Sequence, residues 1–332
     1  MLGIFKKNSA SSIFISLLIA LSLWTPYFIN PMPVKGDSPM MPLERYLMEL
    51  VALNPLLFTV IAFLLMYLLA GMIIRLNGKH FFVSEQLFFP PFIFVLICSA
   101  FPMQKCMNGS YIAGLCFIAG LSHLLNVCLN RRIFASIFLA AVFFSLASLF
   151  SASAVMLLLL LPISLVLLRT PTEWRDWIIA LSGAALPYLY AFTVFLFAEN
   201  DGWTPFRILH SCFSAPSDRI LGNGHVVEWI YLSYLTLLVA LAMLKLTRST
   251  SASRTKVRKI HALFAWTFFI LLAAMVAIPS DYTHLLPLMA VPAGALIANY
   301  FSLSNYRRLA EIFFFLLVAL TFVVQYYPAV AD

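Results

Sequence analysis

Long apolar runs separated by short polar connections are the feature that most constrains what this chain can fold into. Eleven such runs follow one another in 332 residues. Most have about the 20 residues that an α-helix needs to cross a bilayer. The sequence therefore predicts one all-α integral-membrane domain, residues 1–332, built as a polytopic bundle of about eleven transmembrane helices. The predicted spans are 12–30, 50–74, 82–102, 110–129, 133–150, 153–168, 177–198, 227–246, 261–279, 283–302 and 309–327.

Composition excludes a soluble globule. Hydrophobic residues make up 63% of the chain and charged residues only 10%. A soluble domain carries about 25% charged residues, which cover its surface. No catalytic motif of high specificity occurs in the sequence, so composition assigns the environment of the protein but not its chemistry.

Basic residues predict the orientation. With the N-terminus in the cytoplasm, 16 of the 21 lysines and arginines fall in cytoplasmic connections. Short cytoplasmic loops are enriched in these residues because lysine and arginine resist translocation. The C-terminus is then periplasmic, and the net charge of +8 indicates topology and anionic lipids as partners, with no nucleic acid. The five outer bases are Lys35, Arg45, Lys105, Arg207 and Arg219.

Acidic residues favour the outer face as the place of any chemistry. Nine of the 13 lie outside or at the outer interface, although the orientation rule does not require them there. Asp281 and His284 lie three residues apart at the outer mouth of the tenth span, where a carboxylate can orient an imidazole. The alternative is that Asp281 only caps the helix. Together with Asp37 and Glu44 of the first outer loop, these are the candidate catalytic residues.

A second group of outer residues fits the binding of a lipid phosphate. Arg45, Arg207 and Arg219 are the candidate ligands, because arginine pairs with phosphate through two charge-assisted hydrogen bonds. The long outer loop 199–226 is the candidate lid, and it contains Trp203, His210 and His225. No Cys or His spacing typical of a zinc site is present. A divalent cation bound by the carboxylates is a separate option and stays open.

Polar residues inside the spans and two outer cysteines complete the candidates. His123 and Asn126 share one helix face in the fourth span, where they fit either a proton relay or hydrogen bonding between packed helices. Cys106 and Cys212 both lie in outer connections, so a disulfide between them is an option if the Cα atoms lie within about 7 Å.

Five short segments carry a resemblance to a family. They are IFKK at 4–7, NRRIFAS at 130–136, ASLF at 147–150, EWRDW at 173–177 and NYRRLAE at 305–311. With these segments the chain resembles an uncharacterised family of polytopic inner-membrane proteins from Bacteroidota. The resemblance implies a multi-pass protein of the cell inner membrane and supplies no activity.

The arrangement of the predicted spans and outer loops is similar to that of a second group of membrane proteins. Integral-membrane glycosyltransferases that use lipid-linked sugars place carboxylates in the first outer loop, matched here by Asp37 or Glu44. Some also carry a late segment like the one at Leu285–Leu288. The chain departs from them in its short first loop, which has no adjacent acidic pair, and in the lack of a C-terminal domain. These departures put metal binding and catalysis in doubt.

Three functions remain open at this point. One is an enzyme that acts on a lipid-linked sugar or a lipid headgroup at the outer leaflet, with a polyprenyl-phosphate-linked substrate. The second is a non-catalytic subunit or scaffold that binds protein partners in an envelope assembly. The third is a transporter or flippase. A lipid-sized groove open to the outer leaflet favours the enzyme, a sealed bundle with a flat flank the scaffold, and a central cavity the transporter.

Overall fold

The architecture comes from a computed structural model that describes most of the chain. The described residues are 10–31, 41–51, 54–80, 83, 88–128, 133–168, 172–199, 201–214, 226–248, 255–277, 284–302 and 307–326. Within them the regular structure is helical throughout, so the predicted all-α class is confirmed for this part of the chain.

Thirteen α-helices and two longer 3₁₀ segments form the described structure. The helices are α1 Ala10–Ile29, α2 Pro42–Val51, α3 Pro55–His80, α4 Phe89–Ala100, α5 Gly109–Val127, α6 Ile133–Phe150, α7 Leu160–Leu168, α8 Trp174–Glu199, α9 Thr204–Ser214, α10 Val226–Arg248, α11 Thr255–Ala277, α12 Leu286–Ser302 and α13 Arg307–Tyr326. The 3₁₀ segments are Pro102–Lys105, between α4 and α5, and Ala152–Leu159, which leads into α7.

Seven described helices are long and apolar enough to cross a membrane, namely α3, α5, α6, α8, α10, α11 and α13. Four shorter apolar stretches occur at Ile13–Ile29, Phe89–Ala100, Ala152–Leu168 and Leu286–Ser302. These eleven segments lie where the eleven apolar runs were predicted. The structure supports a helical membrane protein, and the crossing of the four shorter segments stays a prediction.

Two short helices, α4 and α12, fill the centre of the bundle. Every residue of α4 is buried, and so is nearly all of α12. They pack against each other, and α1, α3, α5, α10, α11 and α13 surround them. The helices approach closely at Gly294, where a Cβ would lie 2.9 Å from the carbonyl oxygen of Pro90. A helix that is apolar on all sides belongs in such a buried position.

The run predicted at 50–74 is divided differently in the structure. It begins in the amphipathic helix α2, and the long helix α3 starts only at Pro55. Asn54 caps α3 by accepting the Leu57 N–H at 3.4 Å, and proline is favoured at a first helical position because its missing N–H is not needed there. At ten residues α2 is about 15 Å long and too short to cross a bilayer.

The outer connection predicted at 199–226 contains a helix. Its described part includes α9, which packs against α8. Cys212, Ile208 and Leu209 of α9 join a small apolar cluster with Met41 and Leu149, separate from the main core. The helices α2 and α9 therefore lie at the same end of the bundle, beside the C-terminal end of α6.

Candidate functional site

A buried carboxylate and an imidazole meet at this end of the bundle. Glu44 of α2 is only 4% exposed, and its Oε1 lies 3.2 Å from Nδ1 of His284, just before α12. The His284 side chain keeps about a fifth of its surface exposed, so the pair has an opening to its surroundings. A carboxylate in close contact with an imidazole nitrogen is an arrangement used for proton transfer.

The same carboxylate faces the N-terminus of α5. The Gly109 N–H donates to Glu44 Oε1 at 3.3 Å. The N-terminal end of a helix carries unpaired N–H groups and a partial positive charge, and both stabilise an anion. Gly109 is required for this approach, because a Cβ there would overlap the carbonyl oxygen of Phe150 at the end of α6. Glu44 thus ties together α2, α5 and the start of α12.

A buried lysine stands near the start of α5. Lys105 is 1% exposed, and its Nζ donates to the Leu23 carbonyl at 2.9 Å and to Oε1 of Gln325. Its amine also lies 4.7 Å from the centroid of the Tyr27 ring. The side chain therefore connects the segment after α4 with the ends of α1 and α13.

Burial lowers the pKa of Lys105 to about 6, whereas the pKa of a lysine in the unfolded chain is about 10.4. Between these values the unfolded chain binds the additional proton, so stability should increase with pH across this range. We expect the apparent melting temperature to be higher at about pH 9 than at about pH 6, and Lys105→Met to abolish this difference. Size-exclusion chromatography after heating measures it, and an unchanged pH dependence in Lys105→Met would contradict the assignment.

An apolar groove of about 320 Å³ lies between α6 and α8. Its position in the outer half of the bundle follows from the predicted orientation. Leu43, the neighbour of Glu44 in α2, contributes to its wall, as does Pro205 of α9. The remaining lining includes Leu146, Leu149, Leu186, Ala191 and Val194. A mostly aliphatic groove of this kind in a membrane protein has the shape and chemistry to hold a hydrocarbon chain.

Two of the three predicted phosphate ligands, Arg45 and Arg207, pair with other carboxylates in the described structure. Arg207 Nη1 contacts Asp201 Oδ2 at 2.8 Å, and its side chain is mostly exposed. Arg45 lies next to Glu44 in sequence but pairs with Glu49 at 3.4 Å on the exposed face of α2. Both guanidinium groups already have a carboxylate partner, so a phosphate would have to compete for them.

The predicted lid residues are divided between the described and undescribed parts. Trp203 packs its ring on Phe192 of α8, with the centroids 5.5 Å apart. His210 is exposed and lies 3.4 Å from the Ser214 hydroxyl. His225, the third predicted lid residue, lies outside the described residues, as do the predicted site residues Asp37, Arg219 and Asp281.

The two outer cysteines are free thiols in the structure. Cys212 belongs to the small cluster around Leu149, whereas Cys106 packs against the main core. The structure therefore does not join them in a disulfide. In the described ranges no three His, Cys, Asp or Glu side chains gather in a way that could hold a metal ion.

No family model, curated protein or solved structure matches this chain. Its function therefore has to be argued from its own residues. Sequence reasoning missed three of them: buried Lys105, Gly109 at the start of α5 and Leu43 in the groove. The only available signal was for Lys105, which stands in an outer connection against the charge rule.

Proposed function

We propose that this protein is a multi-pass inner-membrane protein that binds a lipid of the outer leaflet and acts on its headgroup. The hydrocarbon chain occupies the groove between α6 and α8, and the headgroup lies beside Glu44 and His284. The substrate class that fits is a lipid-linked sugar or another headgroup joined through a phosphate, which makes the protein a transferase similar to glycosyltransferases.

One observation carries this proposal: the apolar groove and the buried carboxylate share the helix α2. Leu43 lines the groove, and the next residue is Glu44. A bound lipid needs an apolar channel for its chain and a polar group at its head, and α2 supplies part of both. The predicted orientation puts these features in the outer leaflet, where the acidic residues of the sequence also gather.

The chemistry requires one base. Glu44, assisted by His284, accepts the proton of an acceptor hydroxyl, whose oxygen forms a bond to the transferred group. The bond between that group and the lipid phosphate breaks, and its electron pair leaves with the phosphate. His284, within contact of Glu44, carries the proton away toward the exposed side of its ring. A positioned base of this type accelerates such a step by about 10²–10⁴-fold.

The centre of the bundle argues against a transporter. Side chains of α4 and α12 fill this region, whereas coupled transporters place their binding sites at mid-membrane between helices.

The scaffold alternative rests on α8, which is the least buried of the seven long apolar helices. Leu189 and Phe197 are among its exposed side chains, which suit either lipid or a partner helix.

Filling the groove tests the proposal. Ala191→Trp should displace about three methylenes of a bound chain at about 0.8 kcal/mol each, which weakens lipid binding about fiftyfold. The measurement is lipid mass spectrometry of the full-length protein extracted in polymer particles without detergent. The matched control is Leu189→Trp, which adds the same ring to an exposed position of α8.

The two variants give opposite results under the proposal. Leu189→Trp should retain the specific lipid, and Ala191→Trp should lose it while remaining monodisperse. Equal retention in both would show that the groove holds no lipid. If both variants retain the lipid, and a protein that copurifies with the wild type is lost in Leu189→Trp, the scaffold alternative would be supported instead.

A further inference from the structure

A second cavity, of about 430 Å³, lies at the opposite end of α5 from Gly109. The C-terminal halves of α3 and α5 form its walls, and the predicted orientation places it in the inner leaflet. Its polar lining consists of Arg75 and Lys79 from α3 and Ser122, His123 and Asn126 from α5. The proposed function uses none of these residues.

The two cations of the cavity are arranged on one side of α3. Arg75 and Lys79 are four residues apart, which places them on the same helix face. In the part of the chain that the structure describes, neither side chain bonds to a carboxylate. Both side chains are exposed where they line the cavity. Since no described carboxylate pairs with either, an anionic lipid headgroup is favoured as their counter-ion.

The facing helix, α5, adds polar groups to the cavity beyond those that would bind a phosphate. Asn126 Oδ1 is buried and accepts no hydrogen bond from the described residues. A buried acceptor without a donor costs free energy, so a ligand that supplies a hydroxyl donor favours rotation of the Asn126 amide toward the cavity. His123 is held in place by stacking on Phe143 of α6, with the ring centroids 5.7 Å apart.

We propose that this cavity binds an anionic glycerophospholipid whose headgroup carries a hydroxyl, such as phosphatidylglycerol. Arg75 and Lys79 hold the phosphodiester through charge-assisted hydrogen bonds. A headgroup hydroxyl hydrogen-bonds to the polar wall that Ser122 and Asn126 form, with the Asn126 amide turned toward the cavity. Met72, Leu76 and Ile118 provide the apolar part of the lining, against which the start of the acyl chains packs.

Native mass spectrometry of the delipidated full-length protein in detergent tests this site. The probes are phosphatidylglycerol, phosphatidylethanol of equal charge without a headgroup hydroxyl, phosphatidylethanolamine and inorganic phosphate. We expect one tight phosphatidylglycerol site, and Arg75→Gln combined with Lys79→Gln should weaken it about tenfold or more. Asn126→Leu should abolish the preference for phosphatidylglycerol over phosphatidylethanol.

A control and a second variant keep the test specific. Arg258→Gln combined with Arg308→Gln removes two exposed cations from the same predicted side, outside the cavity, and should leave binding unchanged. Ala119→Phe fills the cavity without changing any charge and should abolish the tight site. This variant decides the matter if the doubly neutralised protein does not fold.

Three results would overturn the proposal. Equal weakening by the control pair would mean that the lipid responds to the general charge of the surface. Equal binding of phosphatidylglycerol and phosphatidylethanolamine to the wild type would mean that the cavity does not recognise an anionic lipid. Displacement of phosphatidylglycerol by millimolar inorganic phosphate would make the cavity a site for the free anion.

Discussion

Glu44→Gln should lower headgroup transfer by about 10²–10⁴-fold, because glutamine cannot accept the proton of the acceptor. Its amide oxygen can still accept the Gly109 N–H, so the apparent melting temperature should stay close to that of the wild type. The assay is the release of polyprenyl phosphate from a polyprenyl-phosphate-linked sugar by the full-length protein in liposomes.

The same helix offers the matched control. Glu49→Gln removes a carboxylate that is exposed and paired only with Arg45, and it should leave turnover unchanged. Glu44→Ala additionally removes the acceptor for the Gly109 N–H and should cost about 1 kcal/mol of stability. Full turnover in Glu44→Gln, with loss only in Glu44→Ala, would mean that Glu44 has a structural role alone.

Among the described glycines, Gly109 is the one at which substitution by alanine should produce the largest loss of stability. The new Cβ overlaps the Phe150 carbonyl oxygen and lies 3.1 Å from Glu44 Oε1. Because a backbone carbonyl cannot move aside without shifting the end of α6, the expected cost is about 1–3 kcal/mol. Turnover should fall as well, since the Glu44 carboxylate is displaced. Thermal stability by size-exclusion chromatography measures the first effect.

Gly71→Ala is the control for that substitution. It lies inside α3, where a Cβ meets no atom within 4 Å, and alanine is favoured over glycine in a helix interior by about 0.5–1 kcal/mol. It should therefore be neutral or stabilising. Equal stability of Gly109→Ala and Gly71→Ala would contradict the close contact between α5 and α6.

The helices could be predicted from sequence because a membrane helix depends on residues that are consecutive in the chain. A run of apolar residues suffices to indicate one, and α5, α6 and α10 lie within a few residues of the predicted spans. The boundary at Asn54–Pro55 was missed because the apolar run continues across it. Only the capping and the fixed backbone of proline mark the start of α3 there.

The site depends on contacts that no local pattern contains. Glu44 is 65 residues from Gly109 in the chain, and yet its carboxylate lies at the start of α5. The sequence proposed Glu44 and His284 as separate members of a larger outer set, and only packing reveals that they touch. The burial of Lys105 has the same origin, since its partners Leu23 and Gln325 come from the first and last helices.

The groove between α6 and α8 also could not be predicted from sequence. Each of its residues is an ordinary apolar residue of a membrane helix. The groove arises because α2 and α9 contribute Leu43 and Pro205 at its edge. Charge placement predicts a site at the outer face of the membrane, and helix packing determines which residues meet.

A density map of the full-length protein in native-lipid particles tests the central claim most directly. We expect lipid density with its chain between Leu146 and Ala191 and its headgroup beside the Glu44–His284 pair. An empty groove, or lipid confined to the outer flank of α8 with no headgroup near Glu44, would contradict it.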